Sequence, residues 1–146
     1  MAPLLRARWG SSRIVSRGVV HDAALLPAFV ATSENEPSGL ITYNIVSKEC
    51  ESVTLDSIRE RAGIGTALVE AVRQEAITAG CSRLWLVTTN DNIFAIRFYQ
   101  KRGFIIKEIH VNSVEELRRL KPEIPLLRFN GIPIRDEVEL EMILKP

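Results

Sequence analysis

The stretch "RERAGIGT" sets Gly63 and Gly65 two positions apart at the head of an amphipathic helical pattern, with Arg59 and Arg61 just before them. A helix start with so little side-chain bulk exposes backbone N–H groups that lack intrahelical acceptors, and the helix dipole favours an anion there. The chemistry on offer is the cradling of a phosphate by main chain. The same pair also suits a tight strand-to-helix turn, and the glycines alone do not choose between the two. Two phosphate motifs can be tested. A P-loop needs glycine, four residues, then Gly-Lys-Ser/Thr, and the sequence has no such run. A dinucleotide fingerprint needs a third glycine three positions after the second and a strand directly before the first. Leu68 stands at that third position, and seven residues separate Leu55 from Gly63.

The elements that must hold this turn can be read from periodicity. "LITYNIV" and "CESVTL", joined by a turn at 47–49, predict an antiparallel hairpin. Upstream, "RIVSRGVV" and "LPAFVA" read as short strands separated by a polar turn at His21 and Asp22, and "TSENEPSG" reads as a loop. The helix runs from Gly63 to Ala79 with Ile64, Leu68, Val72, Ala76 and Ala79 as its apolar stripe, and Gly80 stops it. "RLWLVTT" is nearly all apolar, which predicts a central strand covered on both faces. The order strand, helix, strand makes it parallel to "CESVTL". A second helix, "NIFAIRFYQKR", starts at Asn92 as N-cap and ends at Gly103, with Phe94 and Phe98 read as core. "FIIKEIHV" returns as a strand. Ser113 and Glu116 form a capping-box pattern for a short helix through Leu120, which Pro122 and Pro125 prevent from continuing. Asn130-Gly131 marks a turn, and "DEVELEMIL" alternates acid with apolar residues as a half-exposed last strand. The fold class is α/β with a mixed sheet.

At 146 residues, with 46% apolar and 25% charged content, the chain suits one domain spanning 1–146 with a real core. A net charge of +1 with dispersed Lys and Arg leaves no footprint for nucleic acid or for a membrane surface. The longest apolar run, "AALLPAFVA", is too short to span a bilayer. Cys50 and Cys81 have no metal-ligand spacing and are too few for a disulfide framework, which fits a reducing compartment and core thiols. The first twenty-one residues hold Arg6, Arg8, Arg13 and Arg17 but no acid, the bias of a transit peptide, although "RIVSRGVV" already reads as a strand. His21 and His110 have no partner spacing and read as structural or surface residues.

The stretch "VTLDSIRERAGIGTALVEA" resembles the acyl-CoA-binding motif of the GNAT superfamily of N-acetyltransferases, in which a strand leads to a Q/R-x-x-G-x-G/A loop at a helix start. A second half of the resemblance lies in "NDNIFAIRFYQKRGF", through Asn92, Ala95, Phe98, Tyr99 and Gly103-Phe104. It implies a mostly antiparallel mixed sheet with a central parallel, splayed strand pair, flanked by helices. It also implies acetyl-CoA as cosubstrate, with pyrophosphate on the backbone N–H groups of Arg61, Ala62, Gly63, Ile64, Gly65 and Thr66. Pantetheine would pair with the backbone at Val53 and Leu55, and an N–H near Val53 would polarise the thioester carbonyl. Asn92 matches the asparagine that meets the pantetheine arm, and also suits a plain N-cap. Tyr99 falls on the position of the general acid, where a phenol can protonate a leaving thiolate. Glu51 shares strand parity with Val53 and Leu55 and is the candidate base, or else a solvated strand-end charge.

Two departures stand out. Glu60 occupies the usual Gln/Arg position, which leaves open which arginine meets phosphate. The amino end offers only "HDAALLP" where the family has two helices, so its helical region is shortened. The acceptor pocket would then be open, completed by a second subunit, or formed by the terminal segment, where Arg128, Arg135, Asp136 and Glu137 are candidate or merely solvated charges. The implied function is direct acetyl transfer from acetyl-CoA to a primary amine of a small molecule or peptide, without a metal, in the cytoplasm. A CoA-binding sensor and a nucleotide-binding domain are the rivals. A homodimer is expected, because the family commonly dimerises and the missing helices would leave an apolar face to cover.

Overall fold

The computed structural model describes residues 13–33, 35–57, 63–127 and 130–144. Along the chain lie β1 (Arg13–Ser16), β2 (Val19–Asp22), a 3₁₀ turn (Ala23–Leu25), β3 (Ala28–Ser33), β4 (Glu36–Val46), β5 (Glu49–Ser57) and α1 (Ile64–Thr78). Then come β6 (Arg83–Thr89), α2 (Ile93–Lys101), β7 (Ile105–His110), α3 (Ser113–Leu120) and β8 (Glu137–Ile143). Strands β1 and β2 form their own small sheet, and the other six form one sheet in the order β3-β4-β5-β6-β8-β7. β5 and β6 are parallel, while β3–β4, β4–β5 and β7–β8 are antiparallel. This is the mixed sheet with a central parallel pair that the family motifs imply. Between β2 and β3 the chain makes only the three-residue 3₁₀ turn, so the amino-terminal helical region is short. Among the described residues no helix is long and apolar enough to cross a membrane.

Two compact units divide the chain, one holding Asp22–Trp85 and the other Val15–His21 with Leu86–Met142. In the first, β4 and β5 turn at Ser47 and Lys48, both left-handed with φ of 52° and 62°, the backbone of a two-residue hairpin loop. α1 buries Leu68, Val69, Val72 and Ala76 over a core that includes Leu40, Ile41 and Leu84. Gly39 lets α1 approach: a β-carbon there would lie 2.7 Å from Ile64 Cγ2 and 3.2 Å from Asp56 O. "TSENEPSG" is not a loop. β3 and β4 extend into it and turn through left-handed Asn35, φ 67°. β6 is central but alternates: Leu84 and Leu86 are buried while Arg83, Trp85 and Val87 are of intermediate exposure, so one face is fully covered and the other only in part.

"RIVSRGVV" is broken rather than continuous, because Arg17 (φ 48°) and Gly18 (φ 78°) reverse the chain between β1 and β2. His21 and Asp22 belong to β2 by strand assignment, not to a turn. Phe94 is 70% exposed and is no core residue, since it sits on the outer side of the first turn of α2. α3 begins at Ser113, but its N-cap is Asn112 in the left-handed region. The Ser113 hydroxyl accepts from Glu137 N at 3.1 Å instead of closing a capping box. β8 is not half-exposed: Glu137, Val138, Glu139 and Leu140 are all buried. A strand flanked on both edges must bury its acids, and it does so by pairing them.

Candidate active site

β5 carries an irregularity that its sequence does not announce. Thr54 faces Thr42 and Ser52 faces Tyr43, which leaves Val53 as an extra, bulged residue. The Thr42 and Thr54 hydroxyls, 2.7 Å apart and buried, pin the strand beside it. A one-residue slip flips side-chain parity, so Leu55, opposite Ile41, lies on the other sheet face from Glu51, opposite Asn44. The expected shared parity of Glu51 with Leu55 is therefore wrong. Pairing with β6 covers only Glu49↔Arg83, Cys50↔Leu84 and Glu51↔Trp85, although β5 runs on to Ser57. Past Glu51, the β5 backbone is an edge on that side within the described register, the arrangement that accepts a strand-like ligand. Val53 and Leu55 are half-buried.

Glu51 is 7% exposed and lines an open cleft of about 260 Å³ together with Asn44, Val46, Ser47, Glu49 and Trp85. Glu49 Oε1 accepts from Arg83 Nε at 2.7 Å, and the Arg83 guanidinium lies 4.9 Å over the Trp85 ring. Asn44, Glu49 and Trp85 were not foreseen. Their signal was cross-strand position beside Glu51, which becomes legible only once the register is known. Beside Glu51, burial pushes the Cys50 thiol up to about 12, with the nearby Cys81, Glu51 and Glu75 adding to it. Cys81 is raised by burial too. Both stay protonated near neutral pH and are core thiols, not nucleophiles.

At the head of α1, Gly63 is left-handed at φ 76° with open space where a β-carbon would stand. Ala67 N is the first amide to donate within the helix, to Gly63 O at 3.0 Å, so the amides of Ile64, Gly65 and Thr66 stand ahead of the intrahelical ladder. Arg61 and Ala62, like Arg59 and Glu60, lie outside the described residues.

The second unit places Asn92 and Tyr99 on α2. Asn92 Oδ1 accepts from Ala95 N at 3.2 Å, the N-cap role. The loop before it is fixed by Asn90, whose side chain accepts from Arg135 N (2.9 Å) and Asp136 N (3.0 Å) and donates to Pro133 O (2.9 Å). Tyr99 is 6% exposed and packs edge-on against Phe98 and Phe104, with ring centroids 5.1 and 5.3 Å away. The terminal charges are committed elsewhere. Arg135 binds Asp136 through two bonds and holds its carboxyl below the usual range, helped by Asn112 N. Glu137 accepts from Arg17 N (3.1 Å) and Arg17 Nη1 (2.9 Å). Arg128 lies outside the described residues. One cluster there has metal-ligand chemistry, Glu108, His110 and Glu139, with ligand atoms within 4.8 Å of one another. Lys107 Nζ, 3.8 Å from Glu139 Oε2, competes with a cation at that carboxylate.

Residues 7–104 match the Acetyltransferase (GNAT) family. The chain is 45% identical over 137 residues to the uncharacterized protein YdhI of Bacillus subtilis (strain 168), covering 93% of this chain and 86% of that protein. A Bacillus subtilis acetyltransferase solved in complex with CoA is similar at TM-score 0.70 and 25% identity, over 81% of this chain and 76% of that one. A GNAT family acetyltransferase from Elizabethkingia anophelis, solved with acetyl-CoA bound, is similar at TM-score 0.69 and 26% identity, over 80% and 75% of the two chains.

Proposed function

The chain belongs to the acetyltransferase (GNAT) family, and on that premise we propose that it transfers acetyl from acetyl-CoA directly to a primary amine. The observation that carries this reading is β5 itself: a bulge at Val53 and an edge past Glu51, on the same strand as a nearly buried carboxylate that lines an open cleft. The amides ahead of Ala67 at the start of α1 suit a pyrophosphate, and the reading assigns Arg61 and Ala62, outside the described residues, to the same ligand. The backbone at Val53 and Leu55 suits a pantetheine arm.

Acetyl-CoA supplies the activated thioester. Glu51 takes a proton from the incoming ammonium, directly or through water, because only the neutral amine attacks. The Val53 N–H donates toward the carbonyl oxygen as negative charge grows there. A C–N bond forms, the C–S bond breaks, Tyr99 gives its phenolic proton to the departing sulfur, and the second proton lost by the acetylated nitrogen passes through water to restore the phenol. Asn92 uses its oxygen as a cap, so a CoA contact falls to its amide NH₂. The neutral cysteines support transfer without a covalent cysteine intermediate and suit a reducing, cytoplasmic setting. The reading includes no metal, no nucleic-acid or membrane partner, and a homodimer. Pairing of copies is supported by the exposed Ile105, Ile106 and Ile109 on edge strand β7.

Isothermal titration with acetyl-CoA, CoA and ADP in parallel tests the donor half. Acetyl-CoA and CoA should bind at least about tenfold more tightly than ADP. Equal binding of all three, or none, would overturn the reading and favour a nucleotide site or no site.

A further inference from the structure

We infer that the segment 130–136, which leads into β8, serves the donor side of the site. Asn90 and Asn130 are positioning residues that hold the turn before α2, and through it the Asn92 amide, in place for the pantetheine arm of CoA. The inference rests on the acetyl-transfer reading above and deepens it by adding residues that act through Asn92.

The start of α2 is complete without help from a distance. Asn92 N donates to Thr89 O at 3.0 Å and closes a four-residue turn, Ile93 N donates to Asp91 O at 2.9 Å, and Asn92 Oδ1 caps Ala95 N at 3.2 Å. Local bonds of this kind start a helix, but they do not fix where its capping side chain points relative to the rest of the fold. That direction is set by 130–136, which grips both central residues of the turn. Asn90 N donates to Asp136 O at 3.0 Å, Asn90 Nδ2 donates to Pro133 O at 2.9 Å, and Asn90 Oδ1 accepts from Arg135 N at 2.9 Å and from Asp136 N at 3.0 Å. Asn130 Nδ2 donates to the Asp91 carbonyl at 2.8 Å, and Asp91 itself is fully buried.

The pattern asks for asparagine at position 90. Its oxygen faces two N–H donors and its nitrogen faces a carbonyl, so a flipped amide would oppose like groups and the side chain has one orientation. Aspartate would keep the bonds to Arg135 N and Asp136 N but turn a carboxylate oxygen toward Pro133 O. The gripping segment is anchored in its turn. Asp136 Oδ1 accepts from Asn112 N at 2.8 Å, just ahead of α3, and Arg118 Nη2 donates to Ile134 O at 2.9 Å. Asn92 spends its oxygen on the cap, so its NH₂ points where the turn sends it. A displacement of about 1 Å is enough to misdirect such a donor.

The test titrates the full chain with CoA and with ADP, which shares the pyrophosphate but lacks the pantetheine arm. Asn90→Ala should weaken CoA about tenfold and leave ADP within about twofold, with Asn130→Ala costing about threefold in CoA affinity and Asn90→Asp falling between Asn90→Ala and wild type. Arg17→Ala, which lowers stability without a bond to the turn, should leave both affinities unchanged. The decisive comparison is made in an Asn92→Ala background. There Asn90→Ala should change CoA affinity by less than about twofold, because the side chain it acts through is already gone. Where Asn90→Ala fails to fold, Asn90→Asp and Asn130→Ala carry the same comparison. If wild type prefers CoA to ADP, then equal weakening of the two ligands, the same loss in Arg17→Ala, or effects that add to those of Asn92→Ala overturn the inference and leave the acetyl-CoA reading standing. A wild-type chain with no preference for CoA overturns both. CoA that binds but is never turned over counts against acetyl transfer alone, and the inference then stands or falls on the same variant series.

Discussion

β5 and β8 both interleave acids with apolar residues, and the fold treats their acids in opposite ways. On β8, Glu137 is clasped by Arg17, Glu139 by His110 with Lys107 behind it, and Glu141 lies 4.0 Å from Lys107. Each acid has a basic side chain brought from another segment, Lys107 being shared by Glu139 and Glu141. On β5, Glu49 is paired with Arg83, and both Glu49 and Glu51 line an open cleft. Buried carboxylates with built-in partners serve architecture. Carboxylates that line an open cleft are placed to meet a ligand.

The sharpest way to break this contrast is to neutralise one acid from each strand. Glu51→Gln should lower kcat for acetyl transfer about 10²-fold or more, the range for losing a general base, with a thermal midpoint close to wild type. If activity survives, Glu51 is an architectural acid like those of β8. Arg17→Ala should do the reverse. It leaves a carboxylate that is 1% exposed without its guanidinium, and urea unfolding should report a loss of about 2–4 kcal/mol, kept below a fully buried pair because Arg17 is itself 37% exposed. The kcat for acetyl transfer should not move.

Cys50, between the two β5 acids in sequence, gives a smaller effect with a defined sign. Its thiol ionises at about 12 in the folded chain, against the ordinary 9.0. The unfolded chain therefore releases this proton first, and the stability linked to it is full below about pH 9 and lost as pH rises toward 12. Thermal midpoints measured through that window should fall in wild type and fall less in Cys50→Ala. A parallel slope in the two would show that other groups govern alkaline unfolding. The smallest effect expected is that of His110→Ala, about 1 kcal/mol by urea unfolding, because it removes one hydrogen bond at 3.0 Å from a carboxylate that keeps Lys107 nearby.

Local patterns predicted the elements well wherever a short-range rule governs them. The Ser47–Lys48 hairpin, the Leu68, Val72 and Ala76 part of the α1 stripe and the Asn92 cap all follow from neighbours in sequence, whereas Ala79, read into the stripe, is exposed and Val69 is buried instead. What escaped was decided at long range. The acids of β8 read as solvent-facing because alternation cannot show that Arg17, 120 positions away, will arrive to pair with Glu137. The bulge at Val53 leaves no compositional mark, yet it moves Leu55 to the face opposite Glu51. Ser113 and Glu116 fit a capping box by spacing, but the hydroxyl was claimed by Glu137 N across the fold. The donor motifs could be recognised because each is a contiguous run of sequence, whereas the cleft is assembled from three strands and was invisible until their register was set.

The most direct measurement is acetyl-CoA consumption by the wild-type chain over a panel of primary amines, with released CoA thiol and acetylated amine quantified in the same reaction. The account predicts one thiol per amide formed, and no amide without enzyme. Acetyl-CoA that binds tightly but yields no acetylated amine from any member of the panel would contradict it, and would make the chain a CoA-binding sensor.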